Sequence, residues 1–206
     1  MPPHYALSEL LIVISAMFCI NALQRQRQFT AAIAIGILGL VALIGAARFG
    51  LRLSGTLGAI HPFLTQTGST LATGLLLAAM LGALRETEFS RNIKTFVIMT
   101  AAGLTLISLW LPAITMLVLL AGGIILPILC LIPSHQPLNI KLSHGVIASL
   151  FIFGLMAVRR SPVLGPDLSF HIYHMLIAIW LVGISSAIIY ASPNTPRRPL
   201  VEMFRL

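Results

Sequence analysis

The stretch SFHIYHMLIAIWLVGISSAIIY, residues 169–190, decides how this chain folds. A run of about 22 mostly apolar residues is long enough to cross a bilayer as a helix. A helix places positions i, i+4 and i+7 on one face, so Asp167, His171 and His174 form one polar stripe over its first two turns. Ala178 continues this face, and its small side chain lets a second helix pack closely. The stretch therefore indicates a membrane helix that carries a candidate site.

The composition of the chain extends this interpretation to the other segments. Of the 206 residues, 58% are hydrophobic and 9% are charged, which is too apolar for a soluble domain. The predicted fold class is all-α: a polytopic membrane protein with a seven-transmembrane-helix bundle over residues 1–192. The third span is predicted to begin at His61-Pro62, because proline suits the first turn of a helix. The remaining spans are predicted at 5–23, 30–47, 93–111, 113–132, 143–158 and 169–190.

The distribution of Lys and Arg predicts the orientation. Four arginines lie in alternate loops on one side of the seven spans: Arg48, Arg52, Arg159 and Arg160. The other nine of the thirteen Lys and Arg residues lie on the opposite side, which includes the loop around Glu86. Cytoplasmic loops carry the excess of positive charge, so the N-terminus is predicted outside and the C-terminus in the cytoplasm, with 193–206 as a basic cytoplasmic tail. The short loops favour a bacterial inner (plasma) membrane.

Two function classes are disfavoured by the same counts. The net charge of +8 is spread over short loops rather than gathered on one face, so we expect no nucleic-acid binding. The only cysteines, Cys19 and Cys130, lie inside apolar runs and are predicted to be packing residues. Neither a disulfide framework nor a zinc site built from cysteines is therefore expected.

The predicted topology brings His61, His171, His174 and Asp167 to the same outer side. Three neutral imidazoles with an open fourth position form a catalytic zinc site, in which the metal activates a bound water. The metal ligands would be His61, His171 and His174, and Asp167 would orient a ligand or act as the catalytic base. The alternative is that the histidines bond to backbone or water at the interface while Asp167 caps the helix.

Haem b is a further alternative, because membrane cytochromes place axial histidines on helices. Axial ligands approach the iron from opposite faces, so His171 and His174 cannot serve one haem together. One of them would need His61 or His144 as its partner. His144 is predicted near the cytoplasmic side, which makes it a poor partner.

Seven spans, a histidine near an early helix (His61) and a histidine pair on the last span (His171, His174) resemble the superfamily of alkaline ceramidases and progestin/adiponectin receptors. The pair is three residues apart here, whereas the family spaces it by four. The resemblance implies a membrane hydrolase with zinc held by three histidines, acting on a lipid amide or ester.

The arginines at the membrane edge support a non-enzymatic alternative. An arginine at this depth is costly unless it meets water, a phosphate or a carboxylate, so Arg48, Arg52, Arg159 and Arg160 are candidates for binding an anionic lipid or a small acid. The alternative is that their side chains extend to the interface. A third class is a subunit of a larger membrane complex or a homo-oligomer. Membrane lipids are expected partners in every case.

Overall fold

The computed structural model describes residues 3–53, 55–84, 91–133, 135–159 and 161–192, and at 56, 57 and 91–94 it describes the backbone alone. These residues form seven helices and no strand. The helices are α1 (Tyr5–Arg25), α2 (Phe29–Gly50), α3 (Thr56–Leu84), α4 (Arg91–Trp110), α5 (Ala113–Cys130), α6 (Leu138–Phe153) and α7 (Pro166–Ala191). A π-helical turn, Gly154–Val158, continues α6. Arg160, the loop with Glu86 and the tail 193–206 lie outside the described residues.

Six of the helices are long and apolar enough to cross a membrane: α1, α2, α3, α5, α6 with its π-helical turn, and α7. The apolar part of α4 with described side chains, Thr95–Trp110, is shorter. The structure thus shows an all-helical protein of the membrane-bundle type. Helix α3 lies in the middle and packs against α2, α4, α5 and α7, while α7 packs against α1, α3 and α6.

The packed centre of the bundle lies along the second half of α7. Leu181, Ile184 and Ile188 are fully buried there, against alanines and leucines of α1, α2 and α3. Small residues allow this closeness: a Cβ added at Gly39 of α2 would lie 2.8 Å from the Cβ of Ala16 on α1. Such small residues are how helices approach in lipid, where hydrophobic attraction between them is weak.

The predicted start of the third span is wrong. The helix begins at Thr56, so Pro62 lies inside it rather than in its first turn. Proline removes one backbone donor and disfavours the helix interior, but transmembrane helices tolerate it. His61 consequently lies within the helix, about one and a half turns after its start.

Two other boundaries also differ from the prediction. Helix α6 begins at Leu138, so half of the predicted loop before it is helical. Helix α7 begins at Pro166 with Gly165 as its N-cap residue, and Asp167 lies in the first turn instead of capping the helix. Proline at the first helical position accounts for this earlier start, since its missing N–H needs no partner there.

Candidate functional site

The site is organised around Glu9, a carboxylate that the sequence analysis did not single out. Glu9 lies about one turn into α1 and is only 4% exposed. It is the one acidic residue in the interior of an apolar stretch, since the other four are Glu86, Glu88, Asp167 and Glu202. A carboxylate at such a position is costly and marks a functional site by default. That rule could have found Glu9 from the sequence.

His174 of α7 is the closest partner of Glu9. Its Nε2 lies 3.3 Å from Glu9 Oε1, and its Nδ1 lies 2.7 Å from the backbone oxygen of Phe170. A carbonyl can only accept, so Nδ1 carries a hydrogen and donates it. Two lone pairs facing each other at 3.3 Å would repel, so this arrangement is favourable only with one proton between Glu9 and His174. The pair is either a carboxylic acid donating to imidazole or a carboxylate accepting from imidazolium.

His61 of α3 approaches the same carboxylate oxygen, with Nε2 3.9 Å from Glu9 Oε1. On its other side, Nη1 of Arg48 lies 3.3 Å from His61 Nδ1. Arginine has no acceptor, so Nδ1 must accept this hydrogen bond. A neutral His61 ring then carries its proton on Nε2, the atom that faces Glu9.

Gly45 of α2 makes room for this arrangement. A Cβ at this position would lie 2.7 Å from both Glu9 Oε1 and His61 Nε2. Real Cβ atoms do not approach so closely, so any larger residue at position 45 must push one of these side chains aside. We call Glu9, Arg48, His61 and His174 the Glu9 centre. Two of these residues, Glu9 and His61, pack against Gly45.

The Glu9 centre carries one net positive charge when the shared proton is present. The Glu9–His174 pair is then neutral as a whole, His61 is neutral, and the guanidinium of Arg48 stays protonated. The centre lies where α1, α3 and α7 begin and α2 ends, at one end of the bundle. An apolar surrounding strengthens every electrostatic interaction inside it. The site is therefore suited to an anion.

His171, predicted beside His174, lies in a neighbouring contact instead. Its Nδ1 is hydrogen-bonded to Ser8 Oγ, and its ring centroid is 5.1 Å from that of His4. Ser8 of α1 thus contacts His171, and the next residue, Glu9, contacts His174. Because α1 lies against the polar stripe, the two histidines of the stripe are divided between two contacts.

Asp167 lies farther toward the helix start and is exposed. It accepts a hydrogen bond from the hydroxyl of Tyr5 at 2.5 Å. The Tyr5 ring stacks on Phe170 at 4.0 Å between centroids, and Phe170 stacks on His174 at 3.9 Å. The aromatic pair therefore separates Asp167 from the buried carboxylate. The catalytic role expected for Asp167 stays a prediction.

The predicted arginine cluster is divided in the same way. Arg48 belongs to the Glu9 centre, whereas Arg52 is exposed just beyond the end of α2 with a left-handed φ of 53°. The Arg159 guanidinium lies over the ring of Tyr173, 5.1 Å from its centroid. Only Arg48 is thus placed to act on a buried ligand, and Arg160 lies outside the described residues.

The metal and haem interpretations depend on which donors meet. Among the side chains that the structure describes, no three His, Cys, Asp or Glu residues are grouped so as to hold a metal ion. His61 and His174 converge on Glu9 rather than on His171, and Arg48 disfavours a metal on His61 because it holds the ring proton on Nε2. His144 lies at the opposite end of the bundle, bonded to Ser186 at 3.3 Å. It is therefore not opposed to His171 or His174 across a haem plane.

Comparison with known proteins yields no relationship. No protein-family model, no curated protein and no solved structure matches this sequence. The argument for function accordingly rests on the residues of the Glu9 centre.

Proposed function

We propose that this chain is a seven-span membrane protein that binds a small acid, or the anionic head group of a lipid, together with one proton at the Glu9 centre. The observation that carries the proposal is that the buried carboxylate of Glu9 lies 3.3 Å from His174 and 3.9 Å from His61. The guanidinium of Arg48 lies 3.3 Å from the other nitrogen of the His61 ring. Four ionisable groups in an apolar bundle are too costly to serve packing alone.

Arg48 is the group that recognises the anion. A guanidinium offers several donors in a planar fork that matches carboxylate and phosphate oxygens. In the part of the chain that the structure describes, the half-buried guanidinium makes one side-chain hydrogen bond, from Nη1 to His61, so its other nitrogens can bind a ligand. His61, held as the Nε2–H tautomer by Arg48, lies between Arg48 and Glu9 and prevents the guanidinium from pairing directly with the carboxylate.

The Glu9–His174 pair supplies or receives the proton. A proton between a carboxylate and an imidazole can pass to a ligand within hydrogen-bond reach of either group. An anion that is bound at Arg48 and brings one oxygen within reach of His174 or Glu9 takes this proton, leaves the pair as a carboxylate and a neutral imidazole, and is released as the acid. This coupling of anion and proton is the chemical property we assign to the protein, and it does not require a metal.

A zinc-dependent hydrolase of a lipid amide or ester is the second candidate. One observation favours it: the bond from His174 Nδ1 to the Phe170 carbonyl aims Nε2 at the site, and metal-ligating histidines are commonly oriented by such a bond from the other ring nitrogen. The ligands would then be Glu9, His61 and His174, with Glu9 in place of the predicted His171. This set requires the His61 ring to give up its bond to Arg48.

Topology and localisation are part of the proposal. Six helices meet the requirements for spanning, and the backbone of α4 runs for 20 residues from Arg91, long enough to be the seventh. With seven spans, the charge distribution supports an outer N-terminus. The Glu9 centre would then open to the outside of a bacterial inner membrane.

The proposal is tested by native mass spectrometry of protein purified without chelators, in the presence of phosphatidylglycerol, phosphatidylcholine or benzoate. Wild type should retain the anionic lipid or benzoate over phosphatidylcholine. Arg48→Gln should lose that preference, while the exposed Arg52→Gln should keep it. If lipid alone shows the Arg48-dependent preference, the ligand is a head group; if benzoate alone shows it, the ligand is a small acid.

The same samples decide between the two candidates. Zinc at one atom per chain that disappears in His174→Gln would replace the anion proposal with the hydrolase. An identical anion preference in wild type and Arg48→Gln, with no bound metal, would refute both.

A further inference from the structure

A second site runs along α7, from beside the Glu9 centre to the other end of the bundle. A cavity of about 650 Å³ runs between α1, α6 and α7. Its walls are mostly apolar and include Leu11, Ile147, Met175, Ile179 and Val182. Cavities of this size hold small-molecule ligands when a few polar groups converge in them. We call it the α6–α7 groove.

The groove is long rather than compact. Its α7 wall extends from Met175 to Tyr190, which is about 22 Å at the rise of a helix. That length is a large part of the hydrocarbon thickness of a bilayer, about 30 Å. Leu11, Met175 and Ile179 are each at least 40% exposed, so the groove opens sideways. In a membrane this side faces lipid, and an elongated ligand can enter from the bilayer.

One end of the groove is polar. His144, which is 6% exposed, lines it together with the hydroxyls of Ser143 and Ser186 and the ring of Tyr190. Among the described residues, the His144 ring makes one hydrogen bond, between its Nε2 and Ser186 Oγ at 3.3 Å. The second ring nitrogen, Nδ1, has no hydrogen-bond partner among the described residues and could bond to a ligand. A buried ring nitrogen without a partner is costly in an apolar groove, so a polar ligand group at this end would offset the cost.

The polar end lies at the depth where a lipid head group would be. His144 is seven residues into α6, and Tyr190 is the last residue but one of α7. Both positions are within two turns of a helix end, and the apolar part of the groove extends from there toward the middle of the bundle. An amphiphile in a bilayer has the same order, with its head near the interface and its chain toward the midplane.

We propose that the α6–α7 groove binds a long-chain fatty acid, with its carboxyl group at His144 and Ser186 and its alkyl chain along α7. A carboxyl group is smaller than a phosphodiester head group and therefore suits these nearly buried residues better, and one groove accommodates one chain. Lys141, one turn before His144 on α6, supplies a positive charge at the head end. This site is distinct from the Glu9 centre and does not depend on the function proposed there.

A photoactivatable fatty acid, a palmitate analogue with a diazirine, tests the proposal on the full chain in phosphatidylcholine nanodiscs. Peptide mapping should locate the cross-link on α6 or α7. Unlabelled palmitate should compete, and methyl palmitate should compete roughly 10-fold less well, because it lacks the charged carboxylate that hydrogen-bonds to the head end.

Two variants and one control complete the experiment. Ile179→Trp should block the chain, and His144→Leu should reduce labelling roughly 10-fold by removing the hydrogen-bond partner of the head. Ile33→Trp is the matched control, since Ile33 is an exposed isoleucine of α2 outside the groove. Equal competition by palmitate and methyl palmitate, or labelling unchanged in Ile179→Trp, would overturn the proposal and indicate nonspecific filling by lipid. If His144→Leu proves unfolded, Ile179→Trp and the competition decide.

Discussion

Gly45→Ala is the substitution with the most specific expected effect on the Glu9 centre. The added methyl would lie 2.7 Å from Glu9 Oε1 and from His61 Nε2, so each must retreat to about 3.4 Å for ordinary contact. Glu9 cannot retreat freely, because His174 holds it at 3.3 Å. Overpacking of this kind costs about 1–3 kcal/mol, and we expect the upper part of this range because a buried pair is disturbed as well.

Two other glycines of α2 are matched controls. A Cβ at Gly36 would meet Ile20 at 3.7 Å, so Gly36→Ala should be neutral or stabilise by about 0.5–1 kcal/mol. A Cβ at Gly39 would meet Ala16 at 2.8 Å, far from the centre, so Gly39→Ala should destabilise by about 1–3 kcal/mol. The controls separate a general loss of helix packing from damage to the site.

The assay combines thermal unfolding in detergent with the Arg48-dependent anion preference. Gly39→Ala should lower the melting temperature and keep the preference, whereas Gly45→Ala should lose both. If Gly45→Ala behaves like Gly36→Ala in both measurements, the packing of Gly45 against Glu9 and His61 is not as described.

Three further outcomes follow from other contacts. Glu88→Cys should react with an impermeant thiol reagent only from the cytoplasmic side; labelling in intact cells would reverse the predicted topology. Tyr5→Phe should cost about 0.5–1.5 kcal/mol by loss of the bond to Asp167, and no change in melting would mean the bond is not formed. Gln66→Leu should cost a similar amount, because its amide donates to the Ser108 carbonyl at 2.6 Å and joins α3 to α4; a more stable variant would contradict this.

The helices themselves follow from apolar length, which is why α1, α2, α5 and α7 appear close to their predicted bounds. The start of α3 was wrong because proline permits two interpretations, a first turn or a tolerated interior position. Local sequence does not distinguish these, since the choice depends on whether neighbouring helices support the freed carbonyl. His61 and His174, which were predicted on the same side of the bundle, both approach Glu9 Oε1, and their role as metal ligands stays a prediction.

Which residues form the site was harder to predict from the sequence than where the site lies. The polar stripe of α7 indicated where to look, but the rotation of α1 decides that Ser8 meets His171 and Glu9 meets His174. Helix rotation about its own axis depends on packing along the whole interface, here on contacts such as Gly39 with Ala16. The rotation of α1 could therefore not be predicted from a single sequence. Glu9 itself was readable, as a lone carboxylate in an apolar run.

The central claim is that Glu9 and His174 share a proton while Arg48 fixes the tautomer of His61. Nitrogen-15 NMR of labelled histidine side chains in nanodiscs measures this directly, with each signal assigned by its loss in His61→Gln or His174→Gln. We predict a His61 signal of the Nε2–H tautomer, which changes when Arg48 is replaced by Gln. For His174 we predict a protonated Nδ1 and an Nε2 that responds to Glu9→Gln. A His61 ring protonated on Nδ1, or a His174 signal indifferent to Glu9→Gln, would contradict the account.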